Sequence, residues 1–215
     1  MVRVSMPPPR GRLRPCYSQL PAGTPLMRLY DATKYSAMPL TFRLVGPLMR
    51  FDHHRTQLPA TPLDAKKQLY HDPERGISYL AHTLSCCLAE VFGDTRTIRL
   101  EPWMLAVLRP QRALNLLNLR GRGAMGAGTA AAIAKVGTRS VSQAWSRWFY
   151  EHEADYGSVD GLIFLGAHDD QLCIALFERC QAAMCHDPGE HWPLTHPALR
   201  PVIYRAARER NLVVL

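Results

Sequence analysis

A single carboxylate, Glu90, interrupts an otherwise apolar stretch that begins at Tyr79. Leucine, cysteine and valine recur there at steps of three and four residues, which predicts a helix with one face in the core. A carboxylate beside such a face is either solvated or held in a site, where it can stabilise a developing positive charge. Two upstream arginines, Arg28 and Arg50, can hold phosphate through paired hydrogen bonds. Taken singly, each residue has an ordinary alternative: a surface ion pair for the arginines and a half-buried strand aromatic for Tyr79.

The elements that must position these residues form an α+β pattern. A strand at 26–30 carries Arg28, and a strand at 77–79 leads into the helix that ends near Phe92. The remaining predicted elements are strands at 98–100, 104–108, 113–119, 161–165 and 173–177 and helices at 129–151 and 197–210. Strands and helices interleave without a regular βαβ rhythm, which favours one α+β domain over a doubly wound sheet. Residues 31–76 are broken by prolines and are predicted to be mostly loop.

Length, charge and hydropathy narrow the class of protein. The 215 residues fit one domain, predicted at 25–215, preceded by a flexible, basic, Pro-rich arm at 1–24. The net charge of +8 favours an anionic partner, but the basic residues are dispersed, so direct nucleic-acid binding is not expected. Neither a membrane-length apolar run nor a signal peptide is visible, and a cytoplasmic protein is expected.

Other motifs do not point to a cofactor or a metal. The six cysteines form no Cys-x-x-Cys pair, so no zinc site is predicted. His53 and His54 are adjacent in the sequence, and adjacent residues in a strand or loop point apart and seldom share a metal ion, so the two histidines are expected on a loop surface. The segment 121–126 matches the dinucleotide-binding glycine pattern, but the acidic residue expected about twenty positions later at the end of a second strand would fall inside a predicted helix. We interpret 121–126 as a flexible glycine loop.

Several short blocks, in this order and at roughly this spacing, resemble the RES domain family: 27–30, 46–52, 142–145, 160–164 and 175–179. The likeness covers about residues 28–179. Members of that family are described as NAD-consuming toxins of bacterial toxin–antitoxin pairs. The resemblance therefore implies a mixed, ADP-ribosyltransferase-like sheet core with flanking helices, and NAD as the substrate.

The resemblance also implies roles for individual residues. Arg28 is similar to the first family arginine, and Arg50 is similar to the arginine that opens the phosphate site. Tyr79 resembles the ring beside the substrate, and Glu90 resembles the acidic residue. In this assignment Arg28 and Glu90 are catalytic, whereas Arg50 and Tyr79 bind the substrate.

The family serine is the point of departure. The family pattern Asp-Gly-x-x-Tyr-x-Ser corresponds here to residues 160–166, where Phe164 replaces the tyrosine and Gly166 replaces the serine. We expect Gly166 to offer its backbone N–H to the substrate. Ser142, in the predicted 129–151 helix, is the candidate substitute for the missing hydroxyl. Reduced activity is an expected consequence.

The function implied is that of an NAD glycohydrolase or phosphorylase, a hydrolase or transferase that serves as the toxin of a type II toxin–antitoxin pair. It needs no cofactor or metal, although phosphate is a candidate co-substrate. Its expected partner is a helix-turn-helix antitoxin of the Xre type, and a homo-oligomer is left open. The alternatives are an impaired RES scaffold that acts as a protein-interaction module, and a basic nucleic-acid-binding protein.

Overall fold

The computed structural model describes residues 3–55 and 70–215, so residues 56–69 of the predicted 31–76 loop lie outside the described residues. The strands are β1 (Tyr17–Leu20), β2 (Leu26–Asp31), β3 (Val45–Gly46), β4 (Tyr70–His71), β5 (Ile77–Ala81), β6 (Thr97–Ile98), β7 (Trp103–Pro110), β8 (Leu114–Asn118), β9 (Gly161–Leu165), β10 (Leu172–Phe177), β11 (Met184–Pro193) and β12 (Val213–Val214). The α-helices are α1 (Leu84–Phe92), α2 (Arg122–Gly126), α3 (Arg139–Glu151), α4 (Glu153–Tyr156) and α5 (Arg200–Glu209).

Among the described residues, eight strands form one sheet in the order β1-β8-β9-β10-β5-β2-β7-β11. β8 and β9 run parallel, and the other neighbours are antiparallel. The prediction of an α+β domain with a mixed sheet is therefore confirmed. The predicted strands at 26–30, 161–165 and 173–177 are confirmed as β2, β9 and β10.

One face of the sheet closes on itself. Side chains from all eight strands of the sheet on this face join a single apolar cluster, which includes Leu20, Leu26, Leu80, Leu116, Ile174 and Met184. Neighbouring strands are spaced about 4.8 Å apart, so a flat sheet would keep its edge strands too far apart for such contacts. The sheet must therefore curl around this cluster, as barrel sheets do.

The opposite face of the sheet carries the helices. α1 begins at the N-cap Thr83, whose side chain accepts a hydrogen bond from the backbone N–H of Cys86, and ends at Phe92 as predicted. Its apolar side packs with α5 through Leu88 and Ile203. Within the described residues, β2 pairs with β5 only at Met27 and Ala81. Since β2 pairs with β7 along its whole length, the short β2–β5 contact marks the weakest junction of the sheet.

The predicted 129–151 helix is wrong in its first part. A 3₁₀ helix covers Ala131–Lys135, and the α-helix begins only at Arg139. Val136 and Thr138 have extended backbone conformations, which interrupt the helix around Gly137. Trp145 and Phe149 are buried in the core, as their helical spacing predicts.

The prediction of a flexible arm at 1–24 is wrong for the part described. Tyr17–Leu20 pair with β8 as an edge strand of the sheet, so the boundary at residue 25 does not separate an arm from the domain. Further upstream, the carbonyl of Ser5 accepts a hydrogen bond from the indole Nε1 of Trp145 at 2.7 Å. Backbone hydrogen bonding and a buried aromatic partner hold this proline-rich segment despite its composition.

The predicted flexible loop at 121–126 is also wrong, because Arg122–Gly126 form the short helix α2. The backbone N–H of Arg14 donates to the carbonyl of Gly126 at 2.8 Å. A Cβ on Gly126 would lie 2.2 Å from the carbonyl oxygen of Arg14, so this glycine permits the N-terminal segment to approach α2. No helix within residues 3–55 and 70–215 has the length and hydropathy of a membrane span.

Candidate active site

Glu90 faces a cleft where α1 meets β2 and β5. The cleft holds about 410 Å³ of empty space, open solvent at its mouth included, and its walls include Leu29, Tyr79, Phe164 and Cys173. The Glu90 side chain is half-buried, and its Oε1 accepts a hydrogen bond from the backbone N–H of His168 at 3.2 Å. Mostly apolar walls around one carboxylate give that charge a strong influence on a bound ligand, because little water screens it.

Gly166 lies against the carboxylate of Glu90. A Cβ on Gly166 would lie 2.5 Å from Oε1 of Glu90 and 3.2 Å from Sγ of Cys173. Its backbone N–H already donates to the carbonyl of Gln171 at 2.8 Å. The expectation that this N–H is available to a substrate is therefore wrong, although Gly166 does lie against Glu90.

Tyr79 presents its ring to the cleft while its hydroxyl is engaged behind it. The hydroxyl donates to Oδ1 of Asp52 and accepts from the backbone N–H of Phe51, each at 2.9 Å. Burial raises the pKa of the Tyr79 phenol well above its ordinary value, and the negative charge of Asp52 raises it further. Tyr79 is thus a neutral ring anchored to the loop that carries Arg50.

Arg50 lies on the same side of the molecule as Glu90 and Tyr79. Its Nη1 donates to the carbonyl of Val136, in the segment that precedes α3. Burial lowers the pKa of the Arg50 guanidinium and the positive charge of Arg139 lowers it further, whereas the negative charge of Glu90 opposes both effects. Arg50 therefore lies within electrostatic range of both Glu90 and Arg139.

Asp52 organises the loop that carries Arg50. Its side chain is fully buried, and its two oxygens accept a forked contact from Nη2 of Arg43 at 2.8 Å to each oxygen. The backbone N–H groups of Leu48 and Met49 also donate to it, at 2.5 and 2.9 Å. With the Tyr79 hydroxyl, these donors saturate the carboxylate, so Asp52 is occupied in bracing the loop.

Helix α3 fixes the same loop from the other side. Nε2 of Gln143 donates to the carbonyl of Met49 at 2.9 Å, and Oγ of Ser146 donates to the carbonyl of Phe51 at 2.7 Å. The loop is therefore anchored on both flanks of Arg50, with no regular secondary structure of its own at that position.

The sequence model of the RES domain family matches residues 25–196. The chain belongs to the RES domain family. No curated protein shows significant sequence similarity to it. A chain from the crystal structure of the M. tuberculosis MbcT–MbcA toxin–antitoxin complex is similar at 15% identity, with a TM-score of 0.49 and coverage of 86% of this chain and 88% of that chain.

The structure does not bring Arg28 to the cleft of this RES domain. Successive side chains of β2 point to opposite faces of the sheet, so Met27 and Leu29 face α1 while Arg28 shares the curled face with Leu26 and Tyr30. The Arg28 guanidinium is buried. Its Nη1 atom donates to the carbonyls of Met38, Pro39 and Thr41, at 3.1, 2.8 and 2.5 Å respectively. Burial lowers its pKa to about 10.

Ser142 does not line the cleft either. It is fully buried on α3, and its Oγ donates to the carbonyl of Arg139 one turn earlier, at 3.0 Å. The predicted site residues that line the RES cleft are therefore Glu90 and Tyr79, with Gly166 against Glu90 and Arg50 within electrostatic range of it. Arg139 was not anticipated from the sequence, because a lone exposed arginine at the start of a helix has no distinguishing pattern.

His53 and His54 are both fully buried, rather than exposed on a loop surface. His53 Nε2 lies 2.9 Å from Oε2 of Glu178, and His54 Nε2 lies 3.0 Å from the carbonyl of Arg43. Their Nε2 atoms thus bind different partners, in keeping with the prediction that the two rings point apart. Within residues 3–55 and 70–215, no three His, Cys, Asp or Glu side chains are arranged to hold a metal ion.

Proposed function

We propose that this RES domain degrades NAD by cleaving the bond between nicotinamide and ribose. The observation that carries the proposal is the half-buried carboxylate of Glu90 in an apolar cleft with the ring of Tyr79, and with the Arg50 cation in electrostatic range. Membership of the RES family supports NAD as the substrate.

The chemistry assigns a separate task to each residue. As the bond breaks, its electron pair leaves with nicotinamide, and the ribose acquires oxocarbenium character. Glu90 would hydrogen-bond the ribose hydroxyls and stabilise that positive charge, because the carboxylate is already oriented by the N–H of His168. Tyr79 would flank the nicotinamide ring, and Arg50 would hold a phosphate group.

The acceptor completes the reaction at the anomeric carbon. Water gives ADP-ribose and a proton, whereas inorganic phosphate gives a phosphorylated ADP-ribose. Both acceptors are consistent with the cleft, since Arg50 would serve a phosphate of either the substrate or the co-substrate. We propose that the cellular role is that of a toxin whose active site is covered by an antitoxin, in line with the family.

The decisive experiment measures nicotinamide release from NAD by the purified protein, in buffers with and without inorganic phosphate. Glu90→Gln keeps the shape but removes the charge, and it should lower kcat by about a hundredfold or more. The matched control is Glu101→Gln, an exposed carboxylate in the turn before β7, which should retain wild-type turnover.

The outcome separates the proposal from its main rival. Wild-type protein that consumes no NAD in either buffer at micromolar concentration would favour a protein-interaction module built on an impaired RES scaffold. Turnover that survives in Glu90→Gln would remove Glu90 from the reaction. A rate that rises with phosphate concentration would identify phosphate as the acceptor.

A further inference from the structure

Two arginines, Arg50 and Arg139, connect the loop that carries Arg50 with the segment that leads into α3. Arg139, the first residue of α3, is exposed, and its Nη1 donates to the carbonyl of Leu48 at 2.9 Å. Arg50 reaches in the opposite direction and donates to the carbonyl of Val136. Leu48 is two residues before Arg50, and Val136 is three residues before Arg139. Each guanidinium therefore lies against the segment that bears the other.

Neither cation has a carboxylate within 4.0 Å among residues 3–55 and 70–215. This differs from other arginines that hold loops together, such as Arg43 with Asp52 and Arg112 with Asp160. Two adjacent positive charges repel, and the effect is visible in the pKa of Arg50, which burial lowers first and Arg139 lowers further. An anion that bridges the two guanidinium groups would offset that repulsion.

Donors and space remain for such an anion. The described hydrogen bonds of Arg50 and Arg139 engage one Nη1 each, and every guanidinium has five N–H donors. A Cβ on Gly137, between Val136 and Arg139, would meet nothing within 4 Å, so the surface is open there. The negative charge of Glu90 also acts on Arg50, where it opposes the effects of burial and of Arg139 on the pKa. Arg50 is thus the cation that interacts with both the Glu90 carboxylate and the Arg139 guanidinium.

We propose that Arg139 is a second phosphate-binding residue and that, with Arg50, it holds the pyrophosphate of a dinucleotide whose ribose lies at Glu90. This inference rests on the proposed NAD cleavage and deepens it. Two phosphate groups match two guanidinium groups, each of which can donate in the forked geometry that a lysine cannot reproduce. The pair would make the site select substrates with a pyrophosphate over those with one phosphate or none.

The test compares three substrates with the same scissile bond. Arg139→Ala should raise KM for NAD roughly tenfold or more, the size expected for a lost charge-assisted hydrogen bond, with kcat within about twofold of wild type. For nicotinamide riboside, which has no phosphate, kcat/KM should be unchanged, and nicotinamide mononucleotide should fall between the two. Arg139→Lys should recover only part of the loss. Arg205→Ala, an exposed arginine on α5, is the control and should behave as wild type.

A binding measurement keeps the inference independent of turnover. Titration calorimetry with ADP-ribose and with inorganic pyrophosphate should show weaker binding to Arg139→Ala by a similar factor. If no NAD is cleaved but this difference in binding is found, the proposed reaction fails and the pyrophosphate site stands. If Arg139→Ala binds both compounds as tightly as wild type, or if neither compound binds wild-type protein, the site is overturned. An equal loss with nicotinamide riboside would overturn it as well.

Discussion

Gly166 lies so close to Glu90 that a Cβ atom on it would be 2.5 Å from the carboxylate oxygen Oε1. The backbone at Gly166 has no positive φ, so the conformation itself permits a side chain. The obstacle is Glu90, whose carboxylate would have to move. Restoring the serine of the family pattern is therefore expected to displace the acid rather than to add a useful hydroxyl.

The first prediction follows from this contact. Gly166→Ala and Gly166→Ser should both lower NAD turnover, by about tenfold or more, because misplacing a group by an ångström is enough for such losses. Gly189→Ala is the control. Gly189 lies on β11, and a Cβ added there would lie 3.3 Å from the exposed carboxylate of Asp187. Faster turnover in Gly166→Ser at equal folded fraction would show that Glu90 moves without loss and that a hydroxyl was missing.

The second prediction concerns Asp52. Asp52→Asn removes a fully buried charge that pairs with Arg43 and accepts from Tyr79. Breaking one member of a buried ion pair typically lowers the free energy of unfolding by about 3–5 kcal/mol. Urea unfolding should show a loss of that size. Asp170→Asn removes an exposed partner of Lys135 and should change stability by about 1 kcal/mol or less. Equal effects of the two substitutions would contradict a bracing role for Asp52.

Sequence patterns predicted the structure correctly where apolar residues recur at one regular spacing. The three- and four-residue steps of α1 located Glu90 correctly, and the apolar run of β5 brought Tyr79 beside it. The assignment of Arg28 to the same site had no such basis. β2 is apolar on both faces, since Met27 and Leu29 pack towards α1 and Leu26 packs into the curled face. Alternation shows that Arg28 faces away from Met27, but only the tertiary structure shows which face holds the cleft.

Amino-acid composition gave the wrong secondary structure where tertiary contacts outweigh the local conformational preference of the residues. β1 follows a proline-rich stretch that is typical of a flexible arm, yet its backbone completes the edge of the sheet at β8. β11 contains the polar segment 186–190, which is typical of a turn. There the strand bulges between His186 and His191 before it resumes pairing with β7.

The third prediction separates a structural role for Arg28 from a role in catalysis. Arg28→Lys keeps the charge but leaves some of the carbonyls of Met38, Pro39 and Thr41 without a donor. An unsatisfied buried acceptor typically lowers stability by about 1–3 kcal/mol, which urea unfolding would detect. NAD turnover per folded molecule should stay near wild type, as in Arg99→Lys, an exposed control. A large loss of turnover without a loss of stability would place Arg28 at the substrate.

The fourth prediction is that the N-terminal segment stabilises the domain. Deleting residues 1–16 removes the contact of Ser5 with Trp145 and that of Arg14 with Gly126. It also removes the apolar side chains Val4 and Leu13, which pack against the core. The urea midpoint should fall below that of the full-length protein by more than the loss of one hydrogen bond, about 1 kcal/mol, would produce. A truncated protein with the wild-type midpoint would restore the interpretation of a dispensable arm.

The last prediction is a loss of stability in mild acid. Burial lowers the pKa of His53 and of His54 below the ordinary value of 6.5, despite the opposing charge of nearby carboxylates. In the described part of the chain, Nδ1 of each ring is buried without a hydrogen-bond partner. Protonation would therefore place in the core an N–H without a hydrogen-bond acceptor, although the Nδ1 atom of His54 lies 3.9 Å from Oδ2 of Asp52. Because the unfolded chain binds more protons between the folded pKa and 6.5, the free energy of unfolding must fall as the pH falls through that window.

Glu178 extends this trend to lower pH. Burial raises the pKa of its carboxyl, but hydrogen bonds from His53 and Tyr150 outweigh burial, so the folded pKa lies below the ordinary 4.5. Its contribution to stability is present above 4.5 and is lost as the pH falls through the folded pKa. Thermal unfolding should show Tm decreasing from pH 7.5 to pH 5 because of the two histidines, and decreasing further below pH 4.5 because of Glu178. His53→Gln cannot titrate and should flatten that decrease, whereas the same change at exposed His71 should preserve it. A Tm that rises on acidification would mean that the buried imidazoles are already charged in the folded protein.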